Sequence, residues 1–595
     1  MPEVSDFNIE EFLSGSCRNA YNFFGVHKKV LFNEEGNEIF RGYIFRVFAP
    51  NAFEVYVMGN WNSFESLEYR MNKIHESGIY ELFIKDIKEF YFYQYLIVKK
   101  DGEKLFRKDP FCFFNDLQYK QYSKIFDLTK LNLPPDELRI NEFTSTNRPI
   151  SIYEIDIFKF KKNEDLSFYS YGEIGKTIYS YLDDLGFKTI NFKNKSLEKG
   201  TYLFTGFYSV NSLLGTPEDF QKLILDAHDK GFEILVDFDI TFSNFLTDLV
   251  NFDGTDLYLK FKTNFKEKYK LDLSKGFVRS FVISSINFLI KFFRIDGIVI
   301  KNLNECFSNE IEKNEIAKFV KDVNDIIHEK HPTFLIIGEE FNDSFYLTSL
   351  HNESLNCDLK MDVNFYKNIL NFFSKDFASR EKEILNNSIS SFFKEKFLLP
   401  ISSFGDRTIV NNFFGDLFSK IEQLKLAYTY MFSHPGKKLI FMGEEMANIS
   451  TFNEKFSFDL SLMRKENHSG VYKLVRDLNM FYKLEKAMWF DEFNSQFLNR
   501  ISTFDIDPNI FVFNRKAGNS NLYFVFNISN NTVENFTLPL ENEIYLREIF
   551  NSSSSKYGGP NLLNNTLLKS KAIDGKFSID IKVGPNTGLI LKVVE

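Results

Sequence analysis

The sequence predicts an α/β protein: a (β/α)8 TIM barrel flanked by an N-terminal β-sandwich and a C-terminal all-β domain. Three observations carry that expectation. From Pro149 onward, short apolar runs alternate with amphipathic segments of helix length. Before that point, runs rich in Val and aromatic residues recur at the spacing of a sandwich. After about Asp491, short strand-like runs return without helices between them.

In order along the chain, Tyr43–Phe48, Phe53–Asn60, Gly78–Ile84 and Tyr91–Val98 read as sandwich strands within a region spanning 1–125. Pro50-Asn51 and Asp101-Gly102 break them. Residues 126–148 are polar, contain Pro134-Pro135, and read as a linker. The barrel is expected over 149–490, with strands at Ser151–Ile155, Lys188–Phe192, Glu233–Phe238, Gly297–Ile300, Phe334–Gly338, Asp358–Met361, Phe397–Ile401 and Lys438–Gly443. Residues 491–595 form the C-terminal β-domain, with strands at Asn509–Asn514 and Asn521–Asn527.

Composition sets the class. At 595 residues, with 44% hydrophobic and 17% aromatic content, the chain has material for two or three folded domains with ample core. The net charge is −9, and no basic tract points to nucleic acid or to an anionic membrane. Cys17, Cys112, Cys306 and Cys357 stand far apart and form no Cys-x-x-Cys pair, which argues for a reducing compartment and against a zinc site. The N-terminus is acidic and lacks an apolar signal core, so a cytoplasmic protein is expected. Phe277–Ile300 is apolar but interrupted by Arg279, Lys291, Arg294 and Asp296, and reads as a buried helix followed by a strand.

Several motifs together resemble the glycogen branching enzymes of the α-amylase superfamily. Tyr21–His27, Phe48–Ala52 and Gly59-Asn60-Trp61-Asn62 are similar to their N-terminal carbohydrate-binding region. Ser151–Glu154, Thr205-Gly206-Phe207, Gly215–Phe220, Phe252–Thr255 and His434–Glu445 match barrel segments in the same order. The resemblance implies retaining glycosyl transfer by a carboxylate nucleophile and a carboxylic acid.

The resemblance assigns site residues position by position. Glu339 holds the general-acid position after strand five. The nucleophile position on strand four is Lys301, and the Arg two residues before it is Val299. After strand three, Asp237 is retained, while the following His position is Phe242. After strand seven, the His and sugar-gripping Asp positions are Ser403 and Phe404. Tyr202 matches a tyrosine that stacks under the reacting sugar, and Trp61 is a candidate glucan contact on the sandwich. The nearest other acids are Asp239, Asp296, Glu305 and Asp406, none of which is expected to restore the chemistry. No metal or organic cofactor is implied.

These substitutions lead to the expectation of a catalytically inactive homologue of a branching enzyme. It would bind α-1,4-glucan, or an enzyme of glycogen metabolism, as an anchor or regulator. Two alternatives stand beside it. One is an active 1,4-α-glucan branching enzyme with a displaced nucleophile. The other is a structural partner protein without sugar binding.

Overall fold

The computed structural model describes residues 7–32, 38–65, 67–115, 122–131, 146–197, 200–242, 249–261, 269–348, 350, 353–381, 383–402, 407–453, 455–456, 458–501, 503, 506–564, 567–573 and 575–594. Eight parallel strands close a barrel in sequence order: Ser151–Ile155, Thr189–Phe192, Glu233–Asp239, Gly297–Lys301, Leu335–Glu339, Leu359–Met361, Phe397–Ile401 and Lys437–Phe441. Each is a short run of almost wholly buried residues. That burial explains the near-continuous apolar texture: side chains fill the barrel inside and helices cover it outside. The chain packs as two compact units, 1–142 with 161–177 and 192–336, and 143–160 with 178–191 and 337–595.

The first unit begins with two antiparallel sheets. One is built on Gly25–Phe32, Glu38–Phe48 and Ile79–Lys85, the other on Glu54–Gly59 and Phe92–Val98. Phe45 meets Tyr93 edge-on, with ring centroids 5.3 Å apart, joining the two sheets as a sandwich does. The helix Gly276–Phe288 and its wider continuation Leu289–Phe293 are the apolar segment noted above. Among the described residues this is the one helix long and apolar enough to cross a membrane, and 72% of it is buried inside the protein. The N-terminal segment lies across it. The Cys17 N–H donates to Ser280 Oγ at 3.2 Å and the Ala20 N–H to Ser284 Oγ at 3.0 Å.

The second unit carries the other barrel strands and a C-terminal pair of sheets. Its larger sheet includes Ile510–Ala517, Ser520–Asn527, Tyr545–Asn551 and Thr587–Val594. One face, with Val512, Val525, Leu589 and Leu591, packs against Phe536, Leu538, Ile579 and Ile581 of the smaller sheet. The other face packs on the helix Leu417–Ser433, where Tyr430 meets Phe511 and Phe526 at 5.7 Å each. Burial on both faces explains why Leu522–Phe526 reads as an unbroken apolar run instead of alternating.

Candidate functional site

In the first unit, barrel strands three and four pair in parallel, with Asp237 opposite Val299 and Asp239 opposite Lys301. Side chains alternate along a strand, so Asp237, Asp239, Val299 and Lys301 share one face. Lys301 is the last residue of its strand and only 9% exposed, and Asp237 is 3% exposed. Asp239 is half-buried. Both acids line a narrow recess of about 20 Å³ together with Asn194, Phe204 and Phe207, room for about one water molecule.

Asn194, which follows strand two, organises this recess. Its Nδ2 donates to Asp239 Oδ2 at 2.9 Å, while its Oδ1 accepts the Phe204 N–H at 2.9 Å. The loop it anchors includes Tyr202, which is half-buried and whose carbonyl accepts from Asn211 Nδ2 at 2.6 Å. Sequence reasoning missed Asn194. The available signal was a polar residue just past the C-terminal end of a barrel strand, where barrel enzymes place functional groups.

The other expected positions fall apart from the recess or outside the described residues. The backbone of Phe242 pairs with Tyr269 in a small sheet. Trp61 sits in the turn after Gly59, its ring stacked on Tyr91 at 6.3 Å and edge-on to Tyr69 at 6.3 Å. A Cβ on Gly59 would lie 2.2 Å from that ring, so glycine makes room for it. Of the alternative acids, Asp296 precedes strand four and accepts from His228 Nε2 and the Ile234 N–H, both at 2.8 Å. Glu305 ends a short turn after strand four. Ser403, Phe404 and Asp406 lie outside the described residues.

In the second unit, Glu339 ends strand five, opposite Met361, and is 2% exposed. Its neighbour Glu340 is tied down by a buried cation. Lys360 Nζ lies 3.5 Å from Glu340 Oε2, 2.8 Å from Asp343 Oδ1 and 2.9 Å from Glu395 Oε1. Burial works against charge on Lys360, but Glu395 and Asp343 outweigh it and hold the ammonium above its ordinary pKa. Inside the barrel, Ser402 hydrogen-bonds to Glu154, which also accepts from Asn191 Nδ2 at 3.5 Å. After strand eight, Glu445 accepts from Tyr181 at 2.5 Å and from Tyr153 at 3.0 Å. Burial pushes its carboxyl up to about 7.

Three family models together define an α-amylase-type protein with appended β-domains. Residues 24–112 match carbohydrate-binding module 48 (isoamylase N-terminal domain), 244–531 the α-amylase catalytic domain, and 501–594 the α-amylase C-terminal all-beta domain. The sequence is also similar from end to end to named relatives. It is 29% identical to the 1,4-alpha-glucan branching enzyme of Halothermothrix orenii, covering 99% of this chain and 98% of that one. It is 29% identical to that of Fusobacterium nucleatum, covering 98% of each. The chain is therefore similar from end to end to the glycogen branching enzymes of the α-amylase family. Among solved structures, a pullulanase from Anoxybacillus sp. LM18-11 complexed with maltotetraose shares the fold, with a TM-score of 0.75 at 14% identity over 98% of this chain and 89% of that one. The pullulanase from Bacillus acidopullulyticus does so with a TM-score of 0.72 at 15% identity over 96% of this chain and 75% of that one.

The expectation of a catalytically inactive homologue is corrected by these relatives, which match almost the whole chain and are named as enzymes. That expectation rested on the losses at Lys301, Val299, Phe242, Ser403 and Phe404 taken together. Asp239 stands directly across from Lys301 at the end of the neighbouring strand. Retaining transfer requires carboxyl groups in place, and the strand that supplies each one is secondary.

Proposed function

We propose that this protein is a cytoplasmic 1,4-α-glucan branching enzyme whose nucleophile has moved from strand four to Asp239 on strand three. The observation that carries the reading is the pair itself: Asp239 opposite Lys301, half-buried and held by Asn194. An ammonium one strand away favours the ionised carboxylate, the form a nucleophile needs. Asp239 is preferred to Asp237 because it is the more exposed of the two.

In this reading, Asp239 attacks the anomeric carbon of an α-1,4-linked glucose, while a carboxylic acid, the role the family resemblance assigns to Glu339, gives its proton to the departing glycosidic oxygen. A 6-hydroxyl of a second glucan then attacks the same carbon. Glu339 takes up its proton, and the bond to Asp239 breaks. Two inversions retain the α configuration and leave an α-1,6 branch. Tyr202 offers a ring to the reacting sugar, and Trp61 offers another on the N-terminal module. The module's family and the names of the relatives support α-glucan as ligand. No partner enzyme of glycogen metabolism is needed. The four cysteines are free and buried, which suits a reducing cytoplasm.

The test is incubation of purified protein with amylose, followed by counting of new α-1,6 linkages. Branches are expected from the native protein and a loss of at least about a hundredfold from D239N and from E339Q. Folded native protein that makes no branches overturns the reading. Branching that survives in D239N overturns the assignment of the nucleophile.

A further inference from the structure

A second cavity, of about 480 Å³, lies among the segments leading into barrel strands one and seven and the stretch Trp489–Ser495. It is therefore at the end of the barrel opposite the strand terminus that carries Glu339. Trp489, Phe393 and Phe493 supply aromatic rings, and Asn147, Asp491 and Asn494 supply amide and carboxylate groups. Rings beside mixed donors and acceptors suit a ligand with apolar faces and a polar rim.

The wall is held in place. Trp489 Nε1 donates to the Lys483 carbonyl at 3.3 Å. Asp491 has φ +44°, a left-handed conformation that few non-glycine residues adopt. Its N–H donates to Asn147 Oδ1 at 2.9 Å, and its Oδ2 accepts from Asn494 Nδ2 at 3.1 Å. Beneath it, Glu492 accepts the Gly436 N–H at 2.7 Å and pairs with Lys437 Nζ at 2.5 Å. The same ammonium lies 5.5 Å from the centre of the Phe493 ring. Rings and carboxylate are thus ordered before any ligand arrives, which lowers the entropic cost of binding.

We propose that this cavity is a second carbohydrate site, which takes a short α-1,4-linked gluco-oligosaccharide against Trp489 with sugar hydroxyls donating to Asp491. A pyranose has a C–H face that covers an indole and a rim of hydroxyls that matches the amides and the carboxylate. The choice of α-glucan rests on the proposed branching activity. At this end of the barrel, the site tethers a polymer without occupying the reaction centre.

The sequence contains two tryptophans, Trp61 and Trp489, so W61F leaves Trp489 as the only indole. The experiment titrates full-length W61F with maltoheptaose and follows tryptophan emission. A saturable change is expected, with affinity at least about tenfold weaker in D491N, since Asn also tolerates positive φ. No change, or an equal change with sorbitol, overturns the second site. Branching measured on the native protein separates the two claims. Branches without a Trp489 response reject this site alone, and neither signal rejects the α-glucan reading itself. If W61F does not fold, the difference between native protein and W489F supplies the same signal, and its presence or absence decides the site in the same way.

Discussion

Asn194 Nδ2 donates to Asp239 Oδ2 across 2.9 Å, and this bond joins the loop after strand two to the tip of strand three. Because the same side chain also accepts the Phe204 N–H, one amide sets both the carboxylate and the loop beside it. Asn194→Ala is therefore expected to lower the kcat for branching about 10–100-fold, the usual loss when a group that orients a catalytic side chain is removed. KM for amylose should change less. Steady-state kinetics check this, and an unchanged kcat would remove Asn194 from the site.

Lys301 faces Asp239 in register. An opposite charge beside a carboxylate lowers its pKa. Lys301→Met should shift the acid limb of the pH–activity profile upward. The direction follows from the sign: without the ammonium, Asp239 stays protonated to higher pH. A profile that does not move would mean that Lys301 leaves the nucleophile untouched.

Lys360 is 3% exposed and neutralises Glu340 and Glu395, both of which are buried. Removing one partner of a buried ion cluster leaves uncompensated charge and costs about 3–5 kcal/mol. Lys360→Met is expected to lower the thermal midpoint by at least about 5 °C. Calorimetry decides it, and a loss below about 1 °C would show that the cluster reorganises freely.

The Glu445 carboxyl, pushed up to about 7 by burial, titrates near 4.5 when exposed. The folded protein then holds a proton that the unfolded chain releases between those values. Its contribution is complete below about pH 4.5 and is lost as pH rises to about 7, on the order of 3 kcal/mol. In Glu445→Gln that part of the decline in stability with pH should vanish. Denaturation midpoints at pH 5, 6, 7 and 8 test the slope, and an unchanged slope would assign it to another group.

The fold was legible because its elements carry local signals. Ser151–Ile155 and Phe397–Ile401 are short apolar runs bounded by polar segments, and both are strands over those same residues. Strand four was expected to stop at Ile300 but includes Lys301, because a buried lysine at a strand end carries no local mark of pairing. At the site, sequence spacing could name Asp237, Asp239 and Glu339 as strand-end acids. It could not rank Asp239 above Asp296 and Glu305. That ranking required knowing that Asp296 is taken by His228.

By itself the sequence determined the order of strands and helices and the flanking β-domains, since propensity and burial periodicity act over a few neighbouring residues. The tertiary structure alone decided that Asp239 lies across from Lys301 and that Asn194, 45 residues earlier, reaches it. It also decided that Trp489 shares a cavity with Asn147. The physical reason is the same in each case. Strand register and contacts between distant loops follow from how a closed barrel staggers its strands and packs its ends, and no periodicity in the local sequence encodes that stagger.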